Sequence, residues 1–293
     1  MIDKFSLGAA CMALALGSCA PNPPAVKSAA LMTWDDFNAR PLVGAPDKSF
    51  RYGPDEYQVV DLWRPAGPGP HPVALMVHGG CWTTSIADRA IMSRAAADLR
   101  ARGIAVWNID YRGFDRTNDT RAMLEDVDVA ADLLVRDAAE HRLDASRIVA
   151  VGHSAGGHLA LWLGARRSLG GEKPLPIHHV VSLGGLPDVE QAATPPGSGC
   201  GVEIARKLLA SLPADKLSVP RFLPLDVPQT LVNGDSDRII PTHYAGDYAV
   251  KARAAGDRVS VMIVPNQGHV ELITPGTPAW AAAVQAIEGA LRR

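Results

Sequence analysis

One short turn, Gly152-His153-Ser154-Ala155-Gly156-Gly157, limits what this chain can fold into more than any other stretch. Before it runs Arg147-Ile148-Val149-Ala150-Val151, apolar and β-branched, which reads as a buried strand. After it runs His158-Leu159-Ala160-Leu161-Trp162-Leu163, whose Ala and Leu content favours helix. A serine flanked by glycines between a strand and a helix predicts a sharp, strained turn that a Cβ on either side would obstruct. Such a turn lifts the Ser154 hydroxyl above the end of a sheet and aims the free N–H groups of the following helix at the same point. Ser154 is therefore the candidate nucleophile, and the rest of the chain has to be arranged around it.

Strand-like and helix-like runs alternate on both sides of this turn. Residues 57–63 alternate as an edge strand does. Residues 73–78 form an unbroken apolar strand of the kind found where helices cover both faces of a sheet. Further strands are expected at 104–111, 180–183, 229–233 and 259–264, with helices near 86–102, 121–141, 242–255 and 278–291. In the second of these helices Leu124, Val127, Ala131 and Leu134 recur every three or four residues. Residues 186–227 lack a clean repeat and contain Pro195, Pro196, Gly197, Gly199 and Gly201, which predicts an irregular excursion, a helix near 202–210 and a small cap over the site. The pattern predicts an α/β domain over residues 51–293, a mainly parallel, doubly wound sheet with helices on both faces, preceded by a tether and lead-in at 20–50. Ligands in such sheets bind at the carboxyl ends of the strands.

A serine hydroxyl is a poor nucleophile at neutral pH and needs a base, which in turn needs an orienting acid. After the penultimate strand comes Asn233-Gly234-Asp235-Ser236-Asp237, and after the last comes Pro265-Asn266-Gln267-Gly268-His269. His269 is the candidate base, and Asp235 and Asp237 both stand where the acid should be. The attack creates an oxyanion that needs backbone donors. The Ala155 amide, next to the nucleophile, is one candidate. Gly80 and Cys81, in the His78-Gly79-Gly80-Cys81 turn after the apolar strand, are the others. Trp82 is a candidate wall of the substrate pocket, with aromatic core packing as the other reading. Asp110 and Arg112 read as braces of their loop, His158 as packing beneath the turn, and Glu271 as a neighbour of His269.

His78-Gly79-Gly80-Cys81-Trp82, Asp110-Tyr111-Arg112, Gly152 through His158, the Gly234–Asp237 spacing and Gly268-His269 together resemble the α/β-hydrolase superfamily. Within it they are similar to the esterase-like branch that includes feruloyl/acetyl-xylan esterase-type proteins, kynurenine formamidases and the prolyl-oligopeptidase-related catalytic domain. The resemblance runs from about residue 50 to the end. It implies the α/β-hydrolase fold, with Asp237 as the acid and Asp235 as a turn former beside Gly234. It also implies a serine carboxylesterase (EC 3.1.1.-) acting on small-molecule esters of small or medium acyl groups through an acyl-enzyme, with no cofactor and no metal. Amide or formamide hydrolysis is the alternative, and a non-catalytic envelope binding scaffold is a third. Two departures matter. Cys81 stands where formamidases of this type carry Tyr, and the short stretch before residue 50 cannot hold the propeller of the related peptidases.

The net charge of −2 and scattered basic residues give no electrostatic case for nucleic acid. Lys4 precedes an apolar run, Phe5 to Gly17, that is too short to span a bilayer as a helix. It ends in Leu16-Gly17-Ser18-Cys19, followed by Ala20 and Pro21-Asn22-Pro23-Pro24. Residues 1–19 resemble a bacterial lipoprotein signal peptide with its lipobox, in which Cys19 is the lipidation site. Ala20 fits sorting to the outer membrane, so the membrane is met only through a lipid anchor. An ordinary secretory signal cut near Ala20, giving a soluble periplasmic or secreted protein, is the other reading, and both predict export. With Cys11 and Cys19 in the signal, Cys81 and Cys200 remain; an oxidising compartment permits a bond, and sequence leaves its formation open. No His/Cys cluster has metal-ligand spacing, and the adjacent pair His178-His179 diverges as i and i+1 side chains do.

Overall fold

Runs of Val, Ile, Leu and Ala without polar interruption become inner strands because both of their faces are buried. The computed structural model describes residues 30–42, 44–167 and 175–292, so the signal-like segment, including Cys11 and Cys19, lies outside the described residues. Eight strands are β1 (Lys48–Arg51), β2 (Val59–Trp63), β3 (His71–Val77), β4 (Ala105–Ile109), β5 (Leu143–His153), β6 (Ile177–Leu183), β7 (Gln229–Gly234) and β8 (Val259–Val264). They form one sheet in the order β1-β2-β4-β3-β5-β6-β7-β8. The β1–β2 and β2–β4 pairs are antiparallel, and every pair from β4 to β8 is parallel.

Strand periodicity sorts the core into two layers. Val73, Leu75 and Val77 of β3 pack with Leu124 and Val127 of the helix Thr120–Asp137 and with Leu159 of the helix Ala155–Gly164. Ala74 and Met76, between them in sequence, pack on the other face with Leu99 of the helix Ser93–Ala101 and with Trp280 and Ile287 of the helix Pro278–Leu291. This is the doubly wound α/β arrangement the sequence predicts. The helix that follows Ser154 is buried along its whole length, which explains its apolar composition on all sides.

Two features differ from expectation. Residues 59–63 are not the sheet edge: β1 pairs outside them, and all five are buried. β1 straddles the expected boundary between lead-in and domain, and a one-turn helix at Trp34–Asn38 lies within the lead-in. β1 is short and mostly exposed, its one aromatic, Phe50, stacking on Trp107 at 5.2 Å, so it leaves no periodic signature. The 186–227 excursion holds the helix Val202–Ser211, close to where it is expected, with shorter turns around it. Leu186, Val189, Ala205, Leu208, Leu217 and Val219 pack into the core beside the helix Thr120–Asp137. Thr120 Oγ donates to the Leu208 carbonyl at 3.0 Å.

Candidate active site

The carboxyl ends of β3, β5, β7 and β8 deliver the turns that build the site. At the end of β5, Ser154 adopts φ 57° and ψ −123°, a conformation seldom taken by a residue with a side chain. Its amide donates to the Leu183 carbonyl at 2.8 Å, pinning the turn to β6. The flanking glycines are required by contact: a Cβ on Gly152 would run into the Gly156 carbonyl, and one on Gly156 into the carbonyls of Val77 and His78. Ala155 opens the helix, so its amide has no intrahelical acceptor and is free to serve another oxygen.

The loops after β7 and β8 bring Asp237 to His269. The two are buried, with His269 Nδ1 2.7 Å from Asp237 Oδ2. A carboxylate only accepts, so Nδ1 is the donor in this contact, and Nε2 is the ring nitrogen left for another partner. The other Asp237 oxygen accepts from the amides of Ile239 and Ile240, each at 2.8 Å. Three donors thus compensate for taking this carboxylate out of water. Asp235 is exposed, and its carboxylate accepts from the Asn266 amide at 2.8 Å, which makes it a turn brace. Glu271 accepts from the Gly268 amide at 3.2 Å and from the Met32 amide at 2.7 Å, joining the His269 loop to the N-terminal segment. His153 packs its ring 4.4 Å from that of His269 and donates through Nε2 to the His269 carbonyl at 3.1 Å. Burial, and next the proximity of His269, push the His153 pKa well below the ordinary histidine value, so this ring is neutral.

The turn after β3 presents Gly80 at φ 108° and Cys81 at φ 52°. A buried polar chain holds it from below. His78 Nε2 lies 3.0 Å from Asp110 Oδ1, and the ring stacks on Tyr111 at 4.3 Å. Arg89 donates to Asp110 Oδ2 at 2.7 Å and to Asp61 at 2.8 Å, tying together strands far apart in sequence. Arg89 escapes sequence reasoning because nothing near it marks an arginine that will bridge two buried carboxylates. Arg112 forms a two-pronged contact with Asp126, both distances 2.7 Å, and so braces its loop as expected. From above, a disulfide joins Cys81 to Cys200 across 119 residues, with the Cα atoms 5.4 Å apart.

Trp82 requires a correction as a pocket residue. It is fully buried, and its indole N–H donates to His158 Nδ1 at 3.2 Å. His158 in turn donates through Nε2 to the Leu217 carbonyl at 2.9 Å; burial lowers its pKa to about 4. The pair is core structure beneath the turn.

A cavity of about 610 Å³ opens over these groups, with Ser154, His269, Gly80 and Cys81 in its lining. Trp34, Ile86, Ile91 and Ile239 supply apolar wall. Of the 186–227 excursion, Gly199 alone lines it among the described residues. Trp34 comes instead from the lead-in, where no pocket residue is expected. Among the described residues, no three His, Cys, Asp or Glu side chains gather as a metal site. The arrangement can polarise a serine hydroxyl through an imidazole and present amides to an oxyanion.

Comparison with known proteins agrees with this architecture. The BD-FAE family model matches residues 60–251. Over 114 residues the chain is 34% identical to a probable isoprenylcysteine alpha-carbonyl methylesterase of Arabidopsis thaliana, a match covering 39% of this chain and 23% of that protein. The chain therefore spans under a quarter of that relative's length. Esterase B of Lactobacillus rhamnosis superposes with a TM-score of 0.72 at 18% identity, covering 85% of this chain and 88% of that one. A bacterial heroin esterase gives 0.71 at 21% identity, covering 89% of each chain. At these identities the two structures share the fold, the α/β-hydrolase fold.

Proposed function

The chain belongs to the BD-FAE family, and from that premise we propose that it is a serine hydrolase cleaving carboxylic esters of small or medium acyl substrates through an acyl-enzyme. The observation that carries the reading is a cavity lined by both Ser154 and His269, with His269 Nδ1 held 2.7 Å from the buried Asp237 behind it. In this mechanism His269 Nε2 takes the Ser154 proton as Oγ attacks the carbonyl carbon. Asp237 keeps the ring in the right tautomer and stabilises the imidazolium. The amides of Ala155, Gly80 and Cys81 receive the oxyanion. Collapse breaks the carbon–oxygen bond to the alcohol, which leaves with the proton from His269. Water, activated by the same ring, then releases the acid and restores Ser154.

Supporting the ester bond as target are the methylesterase and esterase names of the proteins it resembles. A cavity of about 610 Å³ suits a substrate of modest size. Export with a lipid anchor on Cys19 belongs to the same proposal, and the Cys81–Cys200 bond supports it, because such bonds persist in oxidising compartments.

The test is mass spectrometry of the full chain after fluorophosphonate treatment, run beside p-nitrophenyl acetate and formamide turnover. One adduct, on Ser154, with matching loss of ester turnover and none in Ser154→Ala, is the expected result. A folded protein with neither adduct nor turnover contradicts the mechanism. Faster turnover of the formamide moves the target to the carbon–nitrogen bond.

A further inference from the structure

Trp34 is an aromatic ring held in a fixed place with one side left open. The helix Trp34–Asn38 begins with a reciprocal cap, in which Thr33 Oγ accepts from the Asp36 amide at 3.1 Å and the Asp36 carboxylate accepts from the Thr33 amide at 2.9 Å. Phe37 on the next turn is buried, with the Arg94 guanidinium 4.6 Å from its ring centroid. Arg94 also donates to the Arg40 carbonyl, and Arg40 donates to the Pro275 carbonyl at 3.1 Å. On the other side, the Met32 amide is held by Glu271 at 2.7 Å. Yet Trp34 remains 38% exposed, and it lines the cavity that holds Ser154 and His269. Ordered surroundings around an uncovered indole are what an aromatic contact with a ligand needs, since the ring loses no freedom when the ligand arrives.

The direction of that contact follows from the proton. The alcohol oxygen of an ester must lie within reach of His269, which protonates it as the carbon–oxygen bond breaks. Trp34 stands edge-on to His153, ring centroids 6.4 Å apart, and His153 lies 4.4 Å from His269. The oxyanion is drawn toward the amides of Gly80, Cys81 and Ala155. The indole therefore borders the space that the departing alcohol fills. Resting on the ester-hydrolase reading above, we propose that Trp34 is the leaving-group wall of the site and selects esters of aromatic alcohols over those of small aliphatic ones.

Deacylation supplies a readout that a structural role would not separate, because the alcohol has gone by that stage. Phenyl acetate and ethyl acetate pass through the same acetyl-enzyme. In Trp34→Ala the ratio of their kcat/KM values should fall about tenfold, the size of one aromatic contact. The deacylation rate constant, taken from the steady phase after a p-nitrophenyl acetate burst, should stay at the wild-type value. Trp34→Phe, which keeps an aromatic face, should restore most of the ratio. An unchanged alcohol ratio beside a shifted acetate-to-octanoate ratio would make Trp34 an acyl wall and overturn the proposal. An equal fall in every constant, deacylation included, would make it a structural residue and overturn it too. Absence of burst and turnover in the wild-type full chain would instead sink the ester-hydrolase reading on which this one rests.

Discussion

Cutting the bond between Cys81 and Cys200 should weaken the fold and loosen the site together. The two cysteines lie 119 residues apart, so the bond closes a long loop that is otherwise free in the unfolded chain. The loop-closure relation gives about 16 cal/mol/K for that length, or about 5 kcal/mol at 25 °C. In a domain of this size each kcal/mol moves the melting temperature by roughly 2–4 °C, so Cys200→Ser should lower Tm by at least about 10 °C. At one end of the bond Cys81 sits at φ 52°, and at the other the Gly199 amide beside Cys200 donates to the Ile239 carbonyl at 2.7 Å. Ile239 in turn donates its amide to Asp237. The bond thus links the turn that carries Gly80 and Cys81 to the loop that carries Asp237. Its loss should lower kcat, but by less than the roughly 10²–10³-fold that deleting an oxyanion donor costs, since the Cys81 amide survives. Calorimetry and ester kinetics on the wild type, Cys200→Ser and the Cys81→Ser/Cys200→Ser double variant test both parts. The double variant excludes effects of the orphaned thiol. A Tm within about 2 °C of wild type in both variants would refute the loop-closure reasoning.

Other outcomes can be checked independently. Asp237→Asn should cost roughly 10³–10⁴-fold in kcat, because an amide there favours the wrong His269 tautomer, while Asp235→Asn should leave kcat within a few-fold; the reverse ranking, read from initial rates, would move the acid. Stability should drain away in acid. His153 and His158 are buried with lowered pKa values, so below about pH 6.5 the unfolded chain takes up protons that the folded one refuses. With its folded value at about 4, His158 alone removes about 2.5 kcal/mol by pH 4.5, visible as a lower urea midpoint than at pH 7. An unchanged midpoint would contradict the neutral burial of both rings. Cys19→Ser should move the protein from the membrane pellet to the soluble fraction of a bacterial host, and unchanged partitioning would remove the lipid-anchor reading.

What could be read in advance was whatever the backbone itself demanded. A strand ending in Gly152 and a helix starting at Ala155 force local composition, so the turn at Ser154 announces itself. Gly234 and Gly268 mark the loops that carry Asp237 and His269 for the same kind of reason: a Cβ on Gly234 would strike the Gln267 carbonyl, where the two loops touch. The capping pattern Thr33-Trp34-Asp35-Asp36 was also there to be read, and would have moved the start of the folded domain back into the lead-in. The Arg89 bridge leaves no such trace, and the cysteine count that left Cys81 and Cys200 as the remaining pair did not decide whether they bond. Each is made where distant segments meet, and neither partner's neighbours in sequence differ from those of an ordinary surface arginine or an unpaired cysteine.

The exchange of roles between two tryptophans shows why proximity along the chain misleads at such a site. Trp82 follows directly on Cys81, a candidate oxyanion donor, and the sequence left its ring open between pocket wall and core packing. Both residues adopt left-handed backbone angles, φ 52° and φ 60°. Two such residues in succession curl the chain tightly instead of extending it. The Trp82 carbonyl accepts from the Phe114 amide at 2.7 Å, and the indole turns down to His158 in the core. The aromatic place in the cavity wall is filled by Trp34, 48 residues earlier, where Glu271 holds Met32 against the His269 loop. An aromatic wall at this site is thus a property of which segment the His269 loop recruits, and truncation of the lead-in should remove it while leaving Ser154, Asp237 and His269 in place.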